Sequence, residues 1–220
     1  MNEKNQKPGI PSALRVFLLF LLLVGLPAGS WFYLQTGLNY HKKALADLND
    51  FGKLRPFQLY SQNGDTLRLQ DIQGRVVVAN FFSLDLSANR KTATGIAKLH
   101  SLFDERPDLF FFSLIPADST AQLRKLAVDL GMKDSKQWFL LTENPKELEN
   151  QKQENFRFPQ KAEATEDENN FLALVDTGST IRNYYDVANN EDMGRLIEHI
   201  VILLPNLPKD KIEIRRGKEK

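Results

Sequence analysis

Hydrophobic residues are distributed along this chain in two different ways. Residues 16–34, VFLLFLLLVGLPAGSWFYL, run for nineteen positions without a charge and are apolar on every side, whereas a soluble helix carries its apolar residues along one stripe. At 1.5 Å per helical residue the run spans roughly 28 Å, enough to cross the hydrocarbon of a bilayer. Trp31 and Tyr33 fall at its end, where amphipathic rings favour the headgroup level, and Pro27 or Gly29 offers a kink. Lys4, Lys7 and Arg15 precede the run, while His41, Lys42 and Lys43 follow it. The three-to-two excess of Lys and Arg therefore puts the N-terminus on the cytoplasmic side by a small margin. A cleaved signal peptide, with Ala28-Gly29-Ser30 as its small-residue site, is the rival reading. Continuation of the apolar run through Trp31, Phe32, Tyr33 and Leu34 favours an uncleaved anchor.

After a partly helical juxtamembrane stalk, the pattern changes to short strands and amphipathic helices. Phe57 and Leu59 alternate with polar residues, Asn63-Gly64 is a two-residue hairpin turn, and Leu67 and Leu69 alternate again, which together predict a hairpin. Residues 76–82 are a continuous β-branched and aromatic run of the kind buried on both faces of a sheet. Ala93, Ile96, Ala97, Leu99 and Phe103 then recur at helical spacing, with Pro107 beyond. A second buried strand follows at 109–114. Leu123, Leu126, Ala127 and Leu130 predict a helix over 122–130 that stops at Gly131. A third strand is read at 138–141, a short polar helix at 146–153, and a closing hairpin at 172–176 and 180–185. Met193, Leu196, Ile197, Ile200, Val201 and Leu204 mark the last amphipathic helix. This alternation implies βαβ crossovers in a mixed α/β sheet covered on both faces, a thioredoxin-like layout. The expected organisation is a cytoplasmic tail (1–15), a transmembrane anchor (16–35), a stalk (36–53), the domain (54–205) and a charged tail (206–220). Residues 161–170, KAEATEDENN, read as an acidic loop.

Composition narrows the chemistry more than the fold. With 29 basic and 28 acidic residues, the net charge of +1 provides no general attraction to nucleic acid. The absence of cysteine removes disulfides, thiolate metal ligands, thiol nucleophiles and lipid attachment through sulfur.

Four strings, PFQLYSQNGDTLRLQDIQGRVVVANFF, KDSKQWFLLTENPKEL, LALVDTGSTIRNYYD and GRLIEHIVILL, stand in an order that resembles the SCO/SenC family. These are membrane-anchored, thioredoxin-fold proteins that assist assembly of the copper centre of cytochrome c oxidase, and the resemblance covers roughly residues 54–204. Family members carry a Cys-x-x-x-Cys at the start of the first helix and a distant His, a soft ligand set suited to copper. Counting from Gly74, the cysteine positions fall on Leu86 and Arg90; counting back from Leu174, the histidine position falls on Glu168. The Asp-Pro after the second buried strand appears as Ile115-Pro116. The resemblance thus implies the scaffold and its location, without copper transfer or thiol redox chemistry.

The remaining chemistry is sparse. His41, His100 and His199 lie on different elements and read as solvent or helix-end histidines, with no second ligand at a diagnostic spacing. Met132 and Met193 read as packing residues, and the strand phenylalanines as core. Asp85 with Glu166, Asp167 and Glu168 is a candidate carboxylate cluster, read as a solvated acidic loop offset by Arg90 and Lys91, since calcium wants six or more oxygen ligands. No Gly-x-Ser-x-Gly elbow or phosphate-binding glycine loop occurs. Arg215, Arg216 and Lys218 read as a frayed basic end. The expectation is a non-catalytic, cofactor-free accessory or assembly factor, single-pass in the cell (inner) membrane with its domain facing the periplasm or extracytoplasmic side. It would contact cytochrome c oxidase or its assembly factors, and neither nucleic acid nor a small-molecule substrate. Leu84, Asp85, Leu86, Arg90, Lys91, Glu168, Asn169 and Asn170 form the expected contact surface, Leu84 and Leu86 flanking Asp85 as an apolar patch. The alternatives are a structural subunit of a membrane complex and a metal carrier using carboxylate and histidine ligands.

Overall fold

The computed structural model describes residues 11–84, 86–104, 106–132, 136–159 and 170–205. It divides into two units, Met1–Ala46 and Asp47–Lys220. The first is helical: α1 (Ser12–Phe20), a π-helical turn (Leu21–Gly25) and α2 (Leu26–Ala46). Pro27 has no N–H for the Leu23 carbonyl, and the wide turn falls at that place. Ala13–Gln35 is long and apolar enough to cross a membrane.

The second unit holds β1 (Gln58–Ser61), β2 (Thr66–Arg68), β3 (Val76–Phe81), α3 (Leu86–Leu102), β4 (Leu109–Leu114), α4 (Thr120–Asp129), β5 (Trp138–Thr142), α5 (Pro145–Asn150), β6 (Phe171–Val175), β7 (Ile181–Asp186) and α6 (Asn190–Leu203). The strands form one sheet in the order β2-β1-β5-β4-β3-β6-β7. β3, β4 and β5 are parallel neighbours, whereas β1 and β6 join antiparallel on either side. Every residue of β3 and β4 is buried, as their unbroken apolar runs require.

The pleat sends alternate residues to opposite faces. Val76, Val78 and Phe82, with Leu109 and Phe111, meet Ile96 and Leu99 of α3, Leu123 of α4, and Leu196 and Ile200 of α6. Val77, Ala79 and Phe81, with Phe110 and Phe112, meet Ile72, Leu148, Phe156 and Phe158. Three helices thus cover one face, while α5 and connecting segments cover the other.

Four local expectations need correction. The β1–β2 turn is longer than two residues: the Ser61 N–H donates to the Asp65 carbonyl, and the Ser61 hydroxyl accepts from the amides of Asn63 and Asp65, with Gly64 at φ +89°. Leu69 leaves the strand for a 3-10 turn (Leu69–Ile72), because the Asp71 carboxylate accepts the Arg68 N–H at 2.7 Å. Ala97 and Val201 lie on exposed helix faces, one position off the inward stripe. His199 is 1% exposed within α6, where the β7 tyrosine reaches it, and so is neither a solvent nor a helix-end histidine.

Candidate functional site

The segment between β3 and α3 is closed by a side chain. Asn89, fully buried one turn into α3, accepts from the Ser83 N–H at 2.9 Å through Oδ1 and donates to the Ser83 carbonyl through Nδ2. One amide side chain thereby satisfies both backbone groups of a residue leaving the central strand, where an unpaired group would be costly. One turn further on, the buried Thr92 donates to Oδ1 of Asn170 at 3.3 Å. The Asn170 carbonyl accepts from the Val187 N–H at 2.9 Å, so this residue ties the approach to β6 to both α3 and the β7–α6 turn.

The outward face of the same helix is cationic. Arg90 and Lys91 are exposed, and the Arg90 carbonyl accepts from the Thr94 hydroxyl at 2.8 Å. Leu84, 48% exposed, stands in the loop before the helix, and Leu86 is the first helical residue. Asp85, Glu166, Asp167, Glu168 and Asn169 lie outside the described residues. Of the expected contact surface, Arg90, Lys91 and Asn170 therefore belong to one structural neighbourhood, organised by Asn89 and Thr92, which the sequence reading missed. Their signal is the inward stripe itself: Asn89, Thr92, Ile96, Leu99 and Phe103 follow one helical phase, which puts the two polar residues inside.

Two of the positions that the family spacing assigns to copper ligands, Leu86 and Arg90, offer copper no ligand atom. A leucine side chain offers no lone pair, and the exposed Arg90 guanidinium is a donor with no acceptor. Among the described residues, no group of three or more His, Asp or Glu converges. His100 packs against the rings of Phe111 and Trp138 at 5.9 and 6.3 Å. His199 Nδ1 lies 2.5 Å from the Tyr185 hydroxyl, and burial pushes that phenol well above its ordinary range, with Arg195 acting in the opposite sense. Met132 and Met193 pack against the helical core, as the sequence pattern requires. At the start of α6, burial opposes ionisation of Asp192. The Asp186 N–H and Arg195 outweigh it, holding the carboxyl below its usual range.

No protein-family model matches the chain, and no curated protein matches it. Solved structures do. A SCO1/SenC family lipoprotein from Bacillus anthracis str. Ames is 21% identical with a TM-score of 0.53, over 70% of this chain and 95% of that one. BsSco, a member of the Sco family of cytochrome c oxidase assembly proteins, is 20% identical with a TM-score of 0.55, over 70% and 94%. The thioredoxin domain of a thiol-disulfide oxidoreductase from Bacteroides vulgatus is 14% identical with a TM-score of 0.53, over 70% and 99%. The fold is thioredoxin-like, and the resemblance to SCO/SenC proteins read from the four strings is borne out at the level of the fold.

Proposed function

We propose that this chain is a degenerate SCO-type protein, anchored by its N-terminal helix, whose domain acts as a non-catalytic accessory or assembly factor in respiratory-oxidase biogenesis. The domain, residues 54–205, would stand on the extracytoplasmic side of the inner membrane and bind its partner around residues 84–91 and 164–170. The observation that carries this reading is the Asn89 clasp on Ser83. Where family members hold a metal-binding pair of thiols, this chain immobilises the same loop with an amide, so the scaffold keeps its shape and loses its reactive groups. The cationic helix face beside the clasp supports contact with protein rather than with a metal ion.

The test is recovery of a tagged full-length chain from gently solubilised membranes. Co-purification of oxidase subunits or their assembly factors is expected; recovery of the chain with unrelated envelope proteins alone overturns the assignment. Copper titration of the same preparation should find no stoichiometric tight site, and a stoichiometric one would restore the metal-carrier alternative.

A further inference from the structure

Between α3 and α6 runs an open groove of about 650 Å³. Gly95 lets the β7–α6 turn come close: a Cβ there would stand 2.7 Å from Cγ1 of Val187. Leu99, Leu102, Met193 and Ile197 contribute apolar lining, and Leu102 is 63% exposed. The stripe of Met193 and Ile197 continues to Val201, itself 55% exposed. Exposed Leu102 and Val201 beside half-buried Met193 and Ile197 form an apolar surface of the kind that marks an interaction site.

The charged lining contributed by the described residues is of one sign. Among the described residues, Arg90, Lys91 and Lys98 border the groove, no acidic side chain lines it, and none of the three cations forms an ion pair. This local excess stands in a chain of net charge +1. The spacing of the cations distinguishes the possible anions. Arg90 and Lys98 are two turns apart on α3, roughly 12 Å along its axis. A single phosphate headgroup needs donors converging on one point, whereas a row of cations beside an apolar trough matches carboxylates repeated along a helix that lays its apolar face into the trough.

We infer that the α3–α6 groove receives an acidic amphipathic helix of a partner protein. The inference rests on the protein-binding reading above and supplies the chemistry of that partner.

The test uses the full-length chain in nanodiscs of phosphatidylcholine, with a labelled synthetic helix of about five turns bearing leucine at i, i+3, i+4 and i+7 and glutamate elsewhere. The glutamate peptide should bind saturably, about tenfold or more tighter than its lysine counterpart, and its affinity should fall as salt rises. The double variant Arg90→Glu/Lys98→Glu should lower that affinity by about tenfold, and Leu102→Ala by several-fold, both with unchanged thermal midpoints since these side chains are exposed. Equal binding of both peptides, full binding by the charge-reversed variant, or displacement of the peptide by phosphatidylglycerol vesicles would each overturn the inference, the last in favour of a lipid ligand. The two readings fail separately. If oxidase subunits co-purify with the charge-reversed chain as well as with the original, the groove assignment falls and the assembly reading stands. If the peptide binds and no oxidase subunit is recovered, the reverse holds.

Discussion

The two faces of the sheet are built by different means. On the face covered by α5 and connecting segments, Phe57, Phe81, Phe110, Phe112, Phe156 and Phe158 meet ring to ring at centroid distances from 5.1 to 6.4 Å. On the helical face, polar groups are set into the apolar layer: the Ser113 hydroxyl donates to Asn80 and accepts from the Trp138 indole, Asn89 clasps Ser83, and Tyr185 meets His199. Apolar burial is non-directional, so the ring packing by itself fixes no one loop; on that side the buried Asn155 does so, accepting from the Arg55 N–H at 2.7 Å and donating to the Arg55 carbonyl at 3.2 Å. Buried hydrogen bonds are directional and costly to leave half-made, and on the helical face a larger set of them specifies the loop between β3 and α3. The candidate site lies on that face. Strand β7 samples both: Tyr184 donates to the Phe156 carbonyl on the aromatic side, and its neighbour Tyr185 reaches His199 on the other.

Truncation on the aromatic face should have the largest effect on stability and none on recognition. Phe112→Ala, at a fully buried position, is expected to cost ~3–5 kcal/mol in chemical denaturation, with peptide binding per folded molecule unchanged. A loss of affinity at full folding would erase the distinction between the faces. Asn89→Ala should cost less, ~1–3 kcal/mol, but act locally: hydrogen exchange at the Ser83 amide should accelerate well beyond the global change. Uniform acceleration throughout the domain would show that the clasp has no local role.

The tyrosine pair provides a finer comparison. Tyr185→Phe removes a hydroxyl from a histidine that is 1% exposed, at about 1–2 kcal/mol, whereas Tyr184→Phe, half-buried, should cost about half as much; equal losses in urea titrations would argue against the contrast. Burial pushes the Tyr184 phenol up to about 12, with Arg157 opposing, and burial also raises Tyr185. Both values exceed those of the unfolded chain, so the native state holds these protons more tightly. The associated stability is fully present below about pH 10 and is lost as pH rises from there through 12. Urea midpoints that stay level from neutral pH into this range would contradict it. The smallest change is expected for Gly95→Ala, where a helix-propensity gain of ~1 kcal/mol opposes the overlap with Val187. Its thermal midpoint should barely move while the α3–α6 groove loses affinity for the acidic helix; unchanged binding would show that this approach does not shape the groove.

Much of this architecture was legible because it is written in short-range pattern. The runs at 76–82 and 109–114 can only be strands buried on both faces, and β3 and β4 occupy nearly those residues. The β1–β2 turn was misread because Asn63-Gly64 is a local signal, while the amides of Asn63 and Asp65 are gathered by the Ser61 hydroxyl and Ser61 itself is paired with Leu141 of a distant strand. His199 was misjudged for a similar reason, since its burial depends on Tyr185 from another element. At the site, Arg90 is found through the family spacing, and Lys91 beside it as a charge that offsets the acidic loop. Asn89 was passed over because an asparagine near a helix start reads as a solvent-facing cap, and only its phase with Ile96 and Leu99 turns it inward.

By itself the sequence determined the apolar N-terminal helix, the order of strands and helices, and the absence of thiol chemistry, because these follow from periodicity and from covalent composition. Tertiary structure alone decided which partners the buried polar residues find and which cations share a groove. Thr92 finds Asn170 across 78 residues of chain, and Lys98 lines a groove with Met193 of another helix. Such neighbours are set by how the helices pack on the sheet, a property of the assembled core that no local window contains.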